Sequence, residues 1–473
     1  MNLLIIGDDP KFIGGVTNYT RPLAQKLAAS GVNVHYLFNS SRNQKYDFGP
    51  MRIEEFDQDG VKYHWLMNGR GMVYNYDDLG LDSGTWFDEL FTKLVSDHNI
   101  DVIHINEIFG FSSNLIHIAK SRGIKVAVTV HEYWWLCPHR VMVDHDRKVC
   151  EGPTDMKKCV HCVSQRAQGY KPAVKRFQYR LRNAFPSVYT PIVSKIKGMK
   201  KNYYKLVELN TSETSNIIAT DKSLERQLEN RFSALIGALN ACDRVICVSS
   251  DVKNILTRFG VKRSVCTVDH IGSEIAERDW ELRTDWKPRE RLSFGFIGGI
   301  TYYKGVHLIV QAYMLLPENL KARATIDIYG GGDQGYVQSM KNLLERGAKI
   351  DMENIRFHGR YTPDQLPAIG ESIDVSILPS MCADTAPQTI FESFSSGLPI
   401  IAPDIGGFSD FIKHDVNGLI FNYGNPQSLA DAMAKLIEHP ELVSAMCTQI
   451  EPSKAMSAHV QDMKNVYQEM SAA

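Results

Sequence analysis

Residues 2–38 read NLLIIGDDPKFIGGVTNYTRPLAQKLAASGVNVHYLF, and the spacing of their apolar residues decides the fold class. Residues 3 to 6 form an unbroken apolar run with the length of a buried strand. A loop from 7 to 15 follows. Val16, Tyr19, Thr20, Leu23 and Leu27 then recur at helical spacing, and Gly31 is placed to end that helix. A second strand, 32 to 38, completes a strand–helix–strand unit, which requires parallel strands and a right-handed crossover. GxGxxG is absent after the first strand and no acid ends the second, which sets a nicotinamide enzyme aside. Gly14 and Gly15 let a ligand approach a helix start with free N–H groups and partial positive charge; the plainer reading is an ordinary turn.

The alternation continues outward from this unit. Strands are expected at 102–105, 125–130 and 244–248, with helices at 114–122 and 251–258. The stretch GSEIAERDWELRTDWKPRER, 272–291, is polar and weakly periodic and reads as an interdomain linker. The pattern then restarts, with strands at 292–297, 325–329, 355–358, 375–378 and 399–402 and helices at 307–315 and 334–346. A chain of 473 residues is too long for one ordinary core. The expected architecture is α/β: two Rossmann-like, doubly wound domains, 1–275 and 276–450. A helix within 451–473 is expected to return to the first domain. Ligands of such sheets sit beyond the carboxyl ends of the strands, so two such edges face one cleft.

Bulk properties narrow the function classes. The formal net charge is -1, which gives no global case for a nucleic-acid binder. The apolar run at the start is too short for a secretory signal, and no stretch approaches the ~20 apolar residues of a spanning helix. Nine cysteines, an odd number, without an export signal point to a reducing cytoplasm.

Three further stretches carry chemistry at strand ends. In FIGGITYYKG, 296–305, a strand ends in Gly298–Gly299, and Lys304 follows where its ammonium can balance a diphosphate. Gly330, Gly331 and Gly332 end the next strand and suit close approach of a ligand or of the opposite domain. In DTAPQTIFESFSSGLPIIAP, 384–403, Pro387 suits a helix's first turn. The amides of Ala386, Pro387's followers Gln388 and Thr389, and the acids Asp384 and Glu392 then border one helix start. Amides there hold phosphate while the acids accept hydroxyls. Taken singly, each motif also reads as a turn, a solvated lysine or an acidic cap. His131 ends the strand 125–130 and therefore points to the cleft, a buried structural histidine being the alternative.

The order of these features resembles the retaining glycosyltransferases of family 4 (glycosyl transferases group 1), which have the GT-B fold. The resemblance spans nearly the whole chain apart from an insertion near 164–235. Asp384-x7-Glu392 matches the family's Glu-x7-Glu, with aspartate for the first glutamate. Gly298–Gly299…Lys304–Gly305 matches its Gly-Arg…Lys-Gly, with Gly299 at the arginine position. Gly14–Gly15, His131 in VTVHEYWW and GGFSDFI at 406–412 match as well. The resemblance implies transfer of a sugar from a UDP- or GDP-sugar, with retention, to a glycan or lipid-linked glycan. A bacterial-type surface polysaccharide is the implied product. It places His131 and Asp384 at the donor sugar, Glu392 at the ribose and Lys304 at the diphosphate. Gly14, Gly15, Gly299, Gly331, Pro387, Gln388 and Thr389 complete the donor site. No metal ion is needed for catalysis in that family. Other readings of the same residues are a GT-B enzyme with a small soluble acceptor and a degenerate binding or scaffold subunit.

Two segments stand outside these motifs. Cys137-x12-Cys150-x8-Cys159-x2-Cys162 has the spacing of a structural zinc site, with His139, His145 and His161 as substitute ligands. Free thiols, a labile disulfide or an iron–sulfur centre are the alternatives. Residues 164–207 hold eleven Lys or Arg and no acid, so the remaining 42 basic and 54 acidic residues carry a formal -12. Aromatics are interleaved. The segment suits the anionic inner face of a membrane, which would make the protein peripheral; a solvated helix pair and a nucleic-acid patch are the alternatives.

Overall fold

The computed structural model describes residues 1–12, 14–39, 50–67, 87–167, 222–277, 283, 285–347 and 349–472. Residues 168–207 of the basic segment and most of the expected insertion lie outside these residues.

Two parallel sheets form, each around its own apolar core. The first contains β1 (Asn2–Gly7), β2 (Asn33–Phe38), β3 (Arg52–Gln58), β4 (Val61–Met67), β5 (Val102–Ile105), β6 (Lys125–Val130), β7 (Arg244–Cys247) and β8 (Cys266–Val268). Their order is β3-β4-β2-β1-β5-β6-β7-β8, and only β3 runs antiparallel to its neighbour. The second contains β9 (Leu292–Ile297), β10 (Ala324–Tyr329), β11 (Ile355–Gly359), β12 (Val375–Ile377), β13 (Ile400–Pro403) and β14 (Gly418–Phe421). Its order, β11-β10-β9-β12-β13-β14, is that of a dinucleotide-binding sheet. Central strands are buried on both faces, so their apolar runs are unbroken rather than alternating.

In each sheet the chain reverses its direction of growth at one pair of strands, β1/β5 in the first and β9/β12 in the second. Crevices open beyond the carboxyl ends of such pairs. The motifs singled out in the sequence lie on loops that leave strands at or near these two points.

Several elements differ from the expectation. The β3–β4 hairpin and strands β8 and β14 were not anticipated, nor were the helices Asp88–Asp97 and Lys222–Ala241. Part of the polar stretch 272–291 is anchored to the second domain. Trp286 is buried and donates to Asp374 at 2.9 Å, and Arg283 donates to the carbonyls of Ile373 and Gly370. Side chains that looked like solvated linker therefore carry a packed connection.

The C-terminal helix Met456–Ala472 crosses back onto the first sheet. Tyr467 Oη lies 2.7 Å from His104 Nδ1, and His459 Nε2 lies 2.8 Å from Tyr19 Oη on helix α1 (Gly15–Ala29). Beside this return, Ser273 N donates to Lys454 O at 2.9 Å and Met456 N donates to Ser273 O at 3.2 Å. The outgoing and returning crossings between the domains are thus hydrogen-bonded to each other.

Candidate functional site

The loop after β9 folds tightly because Gly305 takes a φ of 70°, and a Cβ there would lie 1.8 Å from Pro379 O. This glycine lets the loop lie flat on the segment that follows β12, where Met381 N donates to Tyr303 O at 2.7 Å. Lys304 is thereby delivered to Asp384: its Nζ lies 2.9 and 3.1 Å from the two carboxylate oxygens. Ser380 Oγ donates to the same carboxylate at 2.5 Å. Burial by itself would lower the lysine's pKa, but the Asp384 charge holds it above the ordinary value. The ammonium is desolvated by surrounding protein, yet 39 % of the side chain remains exposed.

The helix Gln388–Ser395 starts directly beside this pair, with Pro387 as its N-cap rather than its first helical residue. The missing proline N–H costs nothing in either position; Ile390 N closes back on Pro387 O at 3.0 Å, and the amides of Gln388 and Thr389 have no partner within the helix. A Cβ on Gly298 would lie 3.7 Å from Thr389 Cγ2, so the β9 loop and this helix start share one wall. Gly299 has nothing within 4 Å of where its Cβ would be, leaving open the space that an arginine would fill. Gly331 is covered by a neighbour: a Cβ there would come within 2.4 Å of Cγ of the exposed Arg360 side chain. Arg360, just past β11, brings to this rim a cation that spacing did not flag.

Glu392 lies one turn further into the helix. Its Oε2 is buried and, among the described residues, has no hydrogen-bond partner. Burial pushes its carboxyl up to about 7. An unpaired carboxylate here is a cost to the empty protein and an acceptor for a ligand hydroxyl. An acid whose folded pKa is raised destabilises the fold only where it ionises, so stability falls as pH rises from the unfolded value toward 7. Glu392→Gln is therefore expected to stabilise the empty protein at pH 8 by on the order of 2 kcal/mol. The gain should fade by pH 5, which urea unfolding at both pH values will show.

The first domain meets these residues across the cleft. His131, just past β6, accepts on its backbone carbonyl a hydrogen bond from Thr385 Oγ1 at 2.6 Å. Its ring packs 4.7 Å from that of Tyr19, and its Nε2 lies 3.2 Å from Asn106 Oδ1. Burial, and then His459, lowers its pKa to about 3, so the imidazole is neutral. Gly406 and Gly407 fold back under Asp384, with Gly407 N donating to Asp384 O at 2.8 Å, and Asp410 accepts from Ser250 N at 2.6 Å. Gly14, the N-cap of α1, has an extended backbone, and a Cβ on it would meet the Phe12 ring at 2.5 Å; Gly15 is open.

A buried ion cluster stands beside His131. Arg140 donates to Glu107 Oε2 at 2.7 Å and to Glu132 Oε2. Burial and then the Glu107 charge push Glu132 up to about 8, despite Arg140, and its Oε1 has no partner among the described residues. Arg140 belongs to the cysteine-rich segment, which also reaches the second domain: Arg147 stacks over the Tyr302 ring at 4.7 Å. The sequence reading missed Glu107, Arg140 and Arg147 because each acts through a partner distant in the chain.

The four cysteines gather in this segment. Burial, followed by the charges of Cys137, Cys150 and Cys162, pushes Cys159 up to about 12, and Cys162 Sγ lies 3.6 Å from His145 Nδ1. Among the described residues, the ligand atoms that converge within 4.8 Å belong to His35, His64 and His98 and to Asp269, His459 and Asp462, not to these cysteines.

Two larger cavities flank the first sheet. One of about 960 Å³ lies beside the loop after β1, lined by Asp9, Lys11, Phe38, Phe56 and Trp65. Another, about 700 Å³, lies at the amino ends of the strands around Met1, Asp101 and Lys125 and contains no residue of the site.

Comparison with known proteins fits this geometry. The family model Glycosyltransferase Family 4 matches residues 13–191, and Glycosyl transferases group 1 matches 279–451. An uncharacterised glycosyltransferase of Methanocaldococcus jannaschii is 23% identical over 257 residues, 53% of this chain and 63% of the relative. A GDP-mannose-dependent phosphatidylinositol monomannoside mannosyltransferase of Mycobacterium tuberculosis is 26% identical over 172 residues, 35% of this chain and 43% of its own. The chain thus spans about half the length of such curated relatives. Anabaena HepE, solved in complex with UDP, superposes with a TM-score of 0.60 at 13% identity, covering 99% of this chain and 100% of its own. Sucrose-phosphate synthase of Thermosynechococcus elongatus gives 0.62 at 14% identity, covering 100% and 99%.

Proposed function

This chain belongs to the family 4 glycosyltransferases with the GT-B fold, and from that premise we propose that it moves a sugar from a UDP- or GDP-sugar to a glycan or lipid-linked glycan, with retention. The observation that carries this reading is the Lys304–Asp384 pair at a helix start, with the unpaired Glu392 oxygen one turn away. That set offers a cation and free amides for a diphosphate and carboxylates for hydroxyls. A UDP-bound structural neighbour and a GDP-mannose-dependent relative support this donor class.

In this reading Lys304 and the amides of Gln388 and Thr389 hold the diphosphate over Gly298 and Gly299. Asp384 accepts from the donor sugar, Glu392 from the ribose, and neutral His131 lies against the sugar. The acceptor oxygen bonds to the anomeric carbon on the face from which the diphosphate departs. The anomeric carbon–oxygen bond breaks toward the phosphate, and a phosphate oxygen takes the acceptor's proton. The protein contributes positioning and stabilisation of the departing charge.

The acceptor belongs to the first domain, where the cavity beside β1 pairs aromatic faces with charged groups. Trp65→Ala is expected to raise the acceptor KM about tenfold with little change in donor KM. Residues 164–207 would hold the enzyme at the inner membrane face during surface polysaccharide assembly; among the described residues no helix is long and apolar enough to cross a membrane. Cys137, Cys150, Cys159 and Cys162 would take a structural zinc ion only by drawing closer together, since a thiolate set is chemically suited but their sulfurs are not among the converging ligand atoms.

The test is a panel of UDP- and GDP-sugars scored for nucleotide binding, donor hydrolysis and transfer to polyprenyl-linked and soluble acceptors. Release of nucleoside diphosphate with retained anomeric configuration supports the reading. Nucleotide binding without hydrolysis or transfer for every donor would place the chain among binding subunits instead.

A further inference from the structure

A second cluster of polar side chains lies away from the cleft, at the hairpin edge of the first sheet. His35 on β2 and His64 on β4 occupy neighbouring strands, and Glu55 on β3 stands directly opposite His64 in the antiparallel pair. His98 follows helix α2 (Asp88–Asp97) and completes the group. His35 Nδ1 lies 2.9 Å from His64 Nε2, and one ring nitrogen from each histidine converges within 4.8 Å of the others. Glu55 Oε1 is 2.9 Å from His98 Nε2 and 3.1 Å from His64 Nδ1. His64 is fully buried and His35 2 % exposed, whereas Glu55 remains 45 % exposed.

This is an expensive arrangement for a core. Three imidazoles face one another, His35 and His64 share a hydrogen bond, and His64 Nδ1 meets Glu55 Oε1 at 3.1 Å. A tetrahedral ion bound at ~2.0–2.1 Å separates its ligand nitrogens by about 3.3 Å, close to the spacing of the His35–His64 pair. Ligating histidines characteristically turn their second ring nitrogen to a carboxylate, and Glu55 stands beside one nitrogen of each of two rings.

We propose that His35, His64 and His98, oriented by Glu55, form a site for a divalent transition-metal ion of the zinc class. Imidazole ligands suit zinc, nickel and copper, and the exposed side of Glu55 gives an ion and a fourth ligand access from solvent. The ion's role is structural: it ties the end of α2 to β2, β4 and β3, the strands that also carry Phe38, Phe56 and Trp65 of the large cavity.

The test uses the full chain, both wild type and with Cys137, Cys150, Cys159 and Cys162 replaced by serine, stripped with a chelator and titrated with Zn²⁺ and Co²⁺. One Zn²⁺ equivalent is expected in the cysteine-free chain, raising its Tm. The Co²⁺ form should show visible d–d bands without thiolate-to-cobalt charge transfer. Glu55→Gln is expected to weaken binding about 10–100-fold, and His98→Ala to abolish the rise in Tm. Far-ultraviolet circular dichroism checks folding. If the cysteine-free chain does not fold, the wild type serves, where His98→Ala should remove one nitrogen-type equivalent. Absence of that equivalent, or binding unchanged in His98→Ala, overturns the proposal. None of these readouts involves sugar transfer, so failure here leaves the proposed activity untouched.

Discussion

Lys304→Ala is expected to lower the rate of sugar transfer about 10²–10³-fold, the usual loss when one preorganised charge-stabilising group is removed. The ammonium is the cation the structure places nearest the helix start, and the Asp384 carboxylate keeps it protonated. That charge is engaged 2.9 Å from Asp384 Oδ2. A diphosphate must therefore share Lys304 with Asp384. Asp384→Asn should separate the two roles. Nucleoside diphosphate should bind at least as tightly, because the competing carboxylate is gone. The turnover number should fall, because an amide accepts sugar hydroxyls less strongly than a carboxylate. Steady-state kinetics with calorimetric titration of UDP and GDP will read both effects. Transfer at the wild-type rate in Lys304→Ala would remove this lysine from the reaction.

Arg140→Met is expected to cost about 3–5 kcal/mol of stability near neutral pH, the penalty for breaking the buried Arg140–Glu107 pair by removing its cation. Glu107 and Glu132 would then face each other with only water or protons to relieve them. The loss should depend on pH in one direction. Glu132 already stands at about 8, so the folded state holds its proton more firmly than the unfolded chain. Removing Arg140 strengthens that preference, so the variant's extra loss from Glu132 should appear as pH rises past 8 and be absent below it. Urea unfolding at pH 5.5 and pH 8.5 measures this. Equal losses at the two pH values would show that the carboxylates do not interact through Arg140. Because the cluster sits next to His131, transfer should decline with it.

These two predictions rest on different depths of legibility. Lys304, Asp384 and Glu392 could be read from the sequence because each sits at a fixed offset from a glycine or proline that punctuates a strand end. The direct pairing of Lys304 with Asp384, 80 residues apart, was not readable, since local spacing says nothing about which loops of a sheet meet. Arg140 and Glu107 gave no local signal at all. The β3–β4 hairpin was a different kind of miss. Its turn, Asp59–Gly60, has φ values of 52° and 75°, the positive pair that an Asp-Gly turn supplies. The flanking strand RIEEFDQ is mostly polar because it lies at the sheet edge, and its apolar pattern was too thin to flag. The three histidines went unnoticed for a related reason: two occupy mid-strand positions where burial, not motif, gives them meaning.

The paired crossings between the domains constrain how such an enzyme can move. A single linker would leave the halves free to swivel and slide as well as bend. Here Ser273 and the Lys454–Met456 return are laced together by two backbone hydrogen bonds, and a Cβ on Gly272 would come 2.9 Å from Ala455 O. The connection is therefore a narrow ribbon rather than a thread. A ribbon flexes about its own width but resists torsion and shear, so opening and closing should follow one angular coordinate.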